Sequence, residues 1–139
     1  KMVDKEKIRS KIQFIQANIL KLQQLKERPQ EEFLRDFRNV EAAKHLMQVS
    51  IEAMLDIANH IIARNRWTTP ATSADSFKIL AEKGFFSPEE LETFLKMIRF
   101  RNRIVPIYQA IDDKEIYHIL QRSLDDFRVF MKKIILQLF

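Results

Sequence analysis

The sequence predicts an all-α protein, a single helical bundle of four long helices and one short helix. Its 139 residues include only one glycine and four prolines, which are the residues that most often interrupt regular structure. Apolar residues recur three and four positions apart along most of the chain, and no segment alternates as a strand would. With 46% hydrophobic residues, we expect one domain with a proper core over residues 2–139.

The composition excludes several classes of protein. There is no cysteine, so disulfide frameworks and thiolate metal sites are ruled out, which fits a reducing cytoplasm. No apolar run approaches the roughly 18 to 20 residues of a membrane span, and no signal-peptide pattern is present. Phosphate-binding glycine loops, zinc motifs and Ser/His/Asp sets are absent as well. We therefore expect a cytoplasmic protein without membrane contact, metal or cofactor.

The first predicted helix carries the excess positive charge of the chain. Residues 1–28 contain eight Lys or Arg and three acidic residues, whereas the rest of the chain is balanced. Its packing seam has apolar residues spaced by three and four positions: Ile8, Ile12, Ile15, Ile19 and Leu22. The basic face opposite this seam is either simply solvated or attracts a polyanion such as RNA without sequence preference.

After a turn at residues 27–29, the longest helical pattern covers residues 31–63. It is apolar around nearly its whole circumference, so we expect this helix to be central and to contact several others. Its polar exceptions are His45, Glu52, Asp56, Asn59 and His60.

Asp56 and His60 are four positions apart on this central helix, so they share a face and can pair. Two interpretations remain open for them. They are either a structural or dimer-interface pair, or a supporting element of an active cleft. A metal site needs more ligands than the nearby sequence supplies.

Capping patterns mark the next three helices. A loop over residues 65–73 precedes a short helix over residues 74–82, with Ser73 or Thr72 as its cap and Gly84 as its stop. Ser87, Pro88 and Glu90 form a strong start signal for the next helix. The last helix covers residues 113–138.

The last helix also begins with the form of a capping box. Asp112 is followed three positions later by Glu115, and Ile111 and Ile116 are spaced as a hydrophobic staple.

The segment of greatest functional interest is RFRNRIVPIY, residues 99–108. Continuing the apolar stripe of the preceding helix places Arg101 and Asn102 on a face that is buried or in an interface, and Arg103 off that face as ordinary solvated charge. Arg101 is either neutralised by a carboxylate within the bundle, or it faces a cleft where its planar fork of donors binds phosphate.

The spacing Arg101-Asn102-x-x-x-Pro106-x-Tyr108 resembles the motif of HEPN-domain proteins, specifically the HepT-like branch. In that motif an arginine and a polar residue are followed by three residues, a histidine, any residue and a tyrosine. Residues 51–60, 77–81 and 111–117 are also similar to their counterparts in the family and occur in the same order. The resemblance covers nearly the whole chain.

The resemblance implies a metal-independent endoribonuclease that uses the RNA 2′-hydroxyl as its nucleophile. It also implies a homodimer in which two motifs form one composite site. Arg101 and Asn102 match the phosphate-binding positions of the family. Pro106 stands where the family has its catalytic histidine.

Pro106 departs from the family at the position that matters most for cleavage. Proline has no titratable group, so we expect this chain to have weak or no ribonuclease activity. Its ring also removes a helical hydrogen bond to the carbonyl of Asn102, and we expect it to move Val105 out of α geometry.

The resemblance further implies a partner of the MntA type, a minimal nucleotidyltransferase antitoxin that transfers AMP to the motif tyrosine. Tyr108 occupies that acceptor position, although a tyrosine at this point can also serve in packing alone. The leading hypothesis is therefore a toxin that acts on RNA, with tRNA and mRNA as the candidate targets, and that is neutralised by AMP transfer. The alternative is a non-enzymatic helical dimer that docks on or regulates a nucleotidyltransferase. A generic basic RNA-binding bundle leaves the motif unexplained.

Overall fold

The computed structural model describes residues 3–106 and 110–139, and within them all regular structure is helical. This confirms the predicted all-α class. The helices are α1 (Lys5–Lys26), α2 (Gln30–Arg35), α3 (Phe37–Arg64), α4 (Ser73–Glu82), α5 (Pro88–Ile104) and α6 (Asp113–Leu138). None of the helices in the described part of the chain has the length and apolar character that crossing a bilayer requires.

The described residues form six helices where the sequence analysis expected five. The pattern over residues 31–63 is interrupted at Asp36, whose backbone is extended (φ −116°, ψ 111°). The Asp36 carboxylate accepts the backbone N–H of Arg38 at 2.9 Å and so caps α3. Apolar spacing continues through this break, and for that reason periodicity alone did not detect it.

Helix α3 is central, as predicted. It packs against each of the other five described helices, and most of its circumference is buried. Helix α1 packs against both α3 and α6 through the predicted isoleucine seam. The face of α3 that turns toward α4 and α5 carries the polar side chains of the candidate site.

Four phenylalanines fix α5 against its neighbours. They come from α4, the α4–α5 connection, α5 and α6, and their ring centroids lie between 4.8 and 6.3 Å apart in all six pairings: Phe77, Phe86, Phe94 and Phe130. Aromatic pairs at such distances stabilise a core beyond simple area burial. This aromatic tetrad sets the direction in which α5 runs toward the motif.

The predicted caps of α4 and α5 are present. Thr72 caps α4 in a reciprocal box with Asp75. Ser87 and Glu90 exchange hydrogen bonds of 2.9 and 3.1 Å at the start of α5. After α4 the chain turns at Gly84, whose φ of 89° is a conformation that glycine adopts without strain.

Candidate functional site

Arg101 lies in the last turn of α5 with its side chain 19% exposed. Its Nη2 donates to the hydroxyl of Ser73 at 3.2 Å, and its Nη1 lies 3.8 Å from Oε2 of Glu52. The Nε atom is buried and has no hydrogen-bond partner among the described residues. The Glu52 carboxylate is therefore near Arg101, as the interpretation of a neutralised arginine requires. It nevertheless leaves one N–H donor of the guanidinium without a partner in the described part of the chain.

Glu52 itself is held from within α3. Gln48, one turn earlier, donates its amide to Oε2 of Glu52 at 3.2 Å. The same carboxylate oxygen thus faces both Gln48 and Arg101. In the sequence Glu52 is only a polar exception on an apolar helix, and that exception is the signal that points to its contact with Arg101. Ser73 was considered only as a helix cap.

Asn102 points differently from its neighbour. It is exposed in the single chain, whereas Arg101 is mostly buried. Both residues were expected on a face that is either buried or in an interface. Arg101 is mostly buried. Asn102 is exposed in the single chain, so an interface is the alternative that remains for it.

Arg103 is exposed, as the spacing predicted, and it also forms an ion pair. Its guanidinium donates to both carboxylate oxygens of Glu115 at 2.7 and 2.9 Å, and this contact holds the pKa of Glu115 below its usual value. The expected capping box at the start of α6 is correspondingly only half formed. Asp112 accepts the N–H of Lys114 at 3.1 Å, whereas Glu115 points to Arg103.

Pro106 follows the end of α5, as expected of a residue without an N–H group. The last helical hydrogen bond runs from the N–H of Val105 to the carbonyl of Arg101 at 3.1 Å. Val105 nevertheless keeps α geometry (φ −69°, ψ −46°), so the expectation that proline would displace it was wrong. Proline disfavours that geometry in the preceding residue but does not forbid it. Tyr108 lies outside the described residues.

Asp56 and His60 each bind α1. The Asp56 carboxylate accepts from Nζ of Lys11 at 3.1 Å, and Nε2 of His60 accepts the backbone N–H of Asp4 at 3.1 Å. Burial lowers the pKa of His60, with nearby positive charges acting in the same direction. Their visible role is to attach α1 to α3, in line with the structural interpretation. Among the residues described, no cluster of His, Asp or Glu is arranged to hold a metal ion.

A cavity of about 510 Å³ lies between α3, α5 and α6. Phe100 and Ile51 line it, and the residues that follow them in sequence are Arg101 and Glu52. A second cavity of about 320 Å³ is lined by Ser73, which anchors Arg101, and by residues of the loop before α4. Arg101 itself lines neither cavity.

A family model described as Ribonuclease HepT-like matches residues 15–134. The chain belongs to the HepT-like ribonuclease family. It is 32% identical over 100 residues to the mRNA nuclease HepT of Shewanella oneidensis, covering 72% of this chain and 75% of that protein. It is 22% identical over 104 residues to the tRNA nuclease HepT of Aphanizomenon flos-aquae, covering 75% and 71%.

A solved HepT-like structure supports the same assignment. The tri-AMPylated HEPN toxin of Shewanella oneidensis in complex with its MNT antitoxin superimposes with a TM-score of 0.86 at 31% identity, covering 97% of this chain and 99% of that one. The resemblance recognised in the motif is therefore confirmed for the fold and the family.

Proposed function

We propose that this chain is the RNA-directed toxin of a toxin–antitoxin pair, acts as a homodimer, and is impaired in cleavage by Pro106. The observation that carries the proposal is the guanidinium of Arg101. It is anchored by Ser73 and Glu52, its Nε is buried without a partner among the described residues, and the side chain keeps 19% exposure through which a ligand can reach it. A fixed planar cation of this kind suits a phosphate group.

RNA cleavage by this family's mechanism needs two contributions from the protein, which are stabilisation of negative charge and proton transfer. The RNA 2′-oxygen attacks the adjacent phosphorus, the bond from phosphorus to the 5′-oxygen breaks, and negative charge develops on the non-bridging oxygens. Arg101 stabilises that charge, and Asn102 of each protomer orients the phosphate across the dimer. Proton transfer to and from the two oxygens requires a group that titrates near neutral pH.

Pro106 supplies no such group. Loss of a general acid–base group typically lowers the rate by about 10²- to 10⁴-fold. Since the arginine remains in place, we expect RNA binding to persist where cleavage is weak.

The decisive experiment compares the parent chain with Pro106→His on tRNA and mRNA, with a chelator present. We expect the histidine variant to cut RNA, Arg101→Ala to abolish the gain, and Arg128→Ala, an exposed arginine on α6, to leave it unchanged. A histidine variant that is folded and dimeric but inert would contradict the catalytic proposal.

We also propose Tyr108 as the acceptor of AMP from an MntA-type nucleotidyltransferase. Its hydroxyl oxygen would attack the α-phosphorus of ATP, with pyrophosphate leaving and the phenolic proton passing to the transferase. Mass spectrometry after incubation with such an enzyme and ATP should show added AMP. Tyr108→Phe should abolish the addition. Tyr117→Phe is the matched control, because Tyr117 is the other tyrosine and its hydroxyl donates to the carbonyl of Arg28.

Pro106 also favours a second candidate, a non-enzymatic dimer that docks on or regulates the nucleotidyltransferase. The two candidates differ in one measurable respect. The toxin proposal requires the Pro106→His variant to regain RNA cleavage, whereas the docking proposal requires transferase binding with no cleavage in either form.

A further inference from the structure

The cavity between α3, α5 and α6 combines an apolar floor with a cationic rim. Its floor includes the side chains of Met47, Met97 and Phe100, which are almost fully buried. Its volume of about 510 Å³ falls within the range of sites that hold small organic ligands. An inorganic anion would leave most of this volume and all of the apolar floor unused.

Four cationic side chains line this cavity, against two carboxylates. Two of the cations are engaged, because Arg103 pairs with Glu115 and Arg99 lies 3.6 Å from Glu92. The remaining two, Lys96 and Arg122, make no ion pair within 4.0 Å with any described residue. The rim therefore retains positive charge after its internal pairs are formed.

The second carboxylate in the rim is Asp126 on α6. Burial raises the pKa of Asp126, and the adjacent Asp125 acts in the same direction. Lys96, which also lines the cavity, acts in the opposite direction. With four cationic side chains against two carboxylates, the rim carries a net positive charge that suits an anionic ligand.

The cavity and the motif arginine involve the same stretches of α5 and α3, but different faces of these helices. On α5 Phe100 lines the cavity and Arg101 follows it, and on α3 Ile51 lines the cavity and Glu52 follows it. Consecutive Cα atoms are about 3.8 Å apart. Arg101 and Glu52 do not line the cavity, but Arg99 and Arg103, which flank Arg101 on α5, do. A nucleic-acid strand with one phosphate at Arg101 would therefore reach the cavity by continuing along α5 past these two arginines.

We infer that this cavity is a nucleotide subsite that holds one residue of the bound RNA strand beside the phosphate at Arg101. The base lies against the methionine and phenylalanine floor, and a backbone phosphate lies between Lys96 and Arg122. This inference rests on the proposed function for the identity of the ligand. A nucleotide has both a ring that fits the apolar floor and a phosphate that fits the cationic rim. A purely apolar ligand or a bare anion would match only one of these two surfaces.

Binding is best measured with a fluorescein-labelled 2′-O-methyl oligoribonucleotide, which lacks the nucleophilic hydroxyl and cannot be cut. We expect Arg122→Glu to weaken its affinity by at least about tenfold in fluorescence anisotropy, since a charge-assisted contact is lost. Arg128→Glu makes the same change in net charge on the same helix, outside the cavity, and should weaken affinity far less. Equal losses in the two variants would overturn the subsite, because they would reflect only long-range attraction.

Two further measurements separate the possible occupants of the cavity. Inorganic polyphosphate should compete less well than unlabelled oligonucleotide of equal charge, and equal competition would contradict a site for the base. Light scattering should show the same oligomeric state for Arg122→Glu and the parent. A dimer that dissociates on this substitution would show that the cavity belongs to an interface, which would also overturn the inference.

The outcome of the oligonucleotide-binding test is independent of the outcome of the cleavage test. If Pro106→His cuts no RNA while Arg122→Glu still loses the oligonucleotide, the subsite stands and the nuclease proposal fails. If Pro106→His cuts RNA and Arg122→Glu leaves both KM and oligonucleotide affinity unchanged, the nuclease proposal stands and the subsite fails.

Discussion

Arg103 at the end of α5 and Glu115 in the first turn of α6 form a bidentate ion pair. The distances are 2.7 Å from Nη1 to Oε2 and 2.9 Å from Nη2 to Oε1. The chain between them contains Pro106 and Tyr108. The pair thus joins the two ends of the segment that carries two of the four motif positions, through a residue at a variable position of the motif and a residue beyond it. A bidentate arginine–carboxylate contact fixes orientation as well as distance.

The first prediction concerns this closure. Glu115→Gln should cost at most about 1 kcal/mol of stability, because the pair is largely exposed. It should nevertheless slow AMP transfer to Tyr108 severalfold, since the two ends of the segment are no longer held together. Mass spectrometry over a time course measures the transfer. Asp125→Asn, which breaks a 2.7 Å pair with Arg128, is the control, and an equal slowing there would refute the argument.

The second prediction concerns Glu52 as the residue that positions Arg101. In the Pro106→His background, Glu52→Gln should lower kcat roughly 10- to 100-fold with little change in KM, because a displaced catalytic group costs rate rather than binding. Glu41→Gln, on the exposed start of the same helix, should leave kcat unaffected. A raised KM with unchanged kcat would instead assign Glu52 to RNA contact.

The third prediction follows from the lowered pKa of His60. The unfolded chain protonates its histidine near pH 6.5, whereas the folded protein keeps this one neutral to a lower pH, because burial and the nearby positive charges of Lys7 and Arg64 disfavour the imidazolium. The unfolded state therefore binds more protons between the two pKa values, and folding stability falls as the pH falls through that window.

Urea denaturation at pH 7 and pH 5 checks this expectation. His60→Gln keeps an acceptor but does not titrate, so it should lose less stability than the parent between the two pH values. His118→Gln, exposed on α6, should follow the parent. If all three proteins lose the same stability, His60 is not the group responsible.

The fourth prediction concerns the aromatic tetrad that orients α5. Phe94→Ala should cost about 3–5 kcal/mol in the free energy of unfolding, since it removes a fully buried ring. Phe37→Ala removes a ring that is 74% exposed and should change stability by no more than about 0.5 kcal/mol. Similar losses in the two variants would mean that the tetrad is not the core that supports α5.

Local patterns predicted the helices, the caps and the motif because each depends on residues within a few positions of one another. The Ser87–Glu90 box and the seam of α1 are of this kind. The break at Asp36 was missed although it is local, since apolar spacing runs through it unchanged.

The partners of each functional side chain came only from the tertiary structure. Arg101 meets Ser73 and Glu52, which are 28 and 49 positions away in the chain, and no periodicity encodes such contacts. Asp56 and His60 share a face as predicted, yet each binds α1, because the first helix brings Lys11 and the backbone of Asp4 within reach.

The sequence by itself determined that this protein is a helical HepT-like chain with proline in place of the motif histidine. Both facts are properties of neighbouring residues and of residue identity. Packing alone decided that Arg101 is anchored with one donor unused, that Arg103 closes the motif segment, and that a cationic cavity opens beside them. These features arise where distant helices meet, and their geometry depends on the whole core.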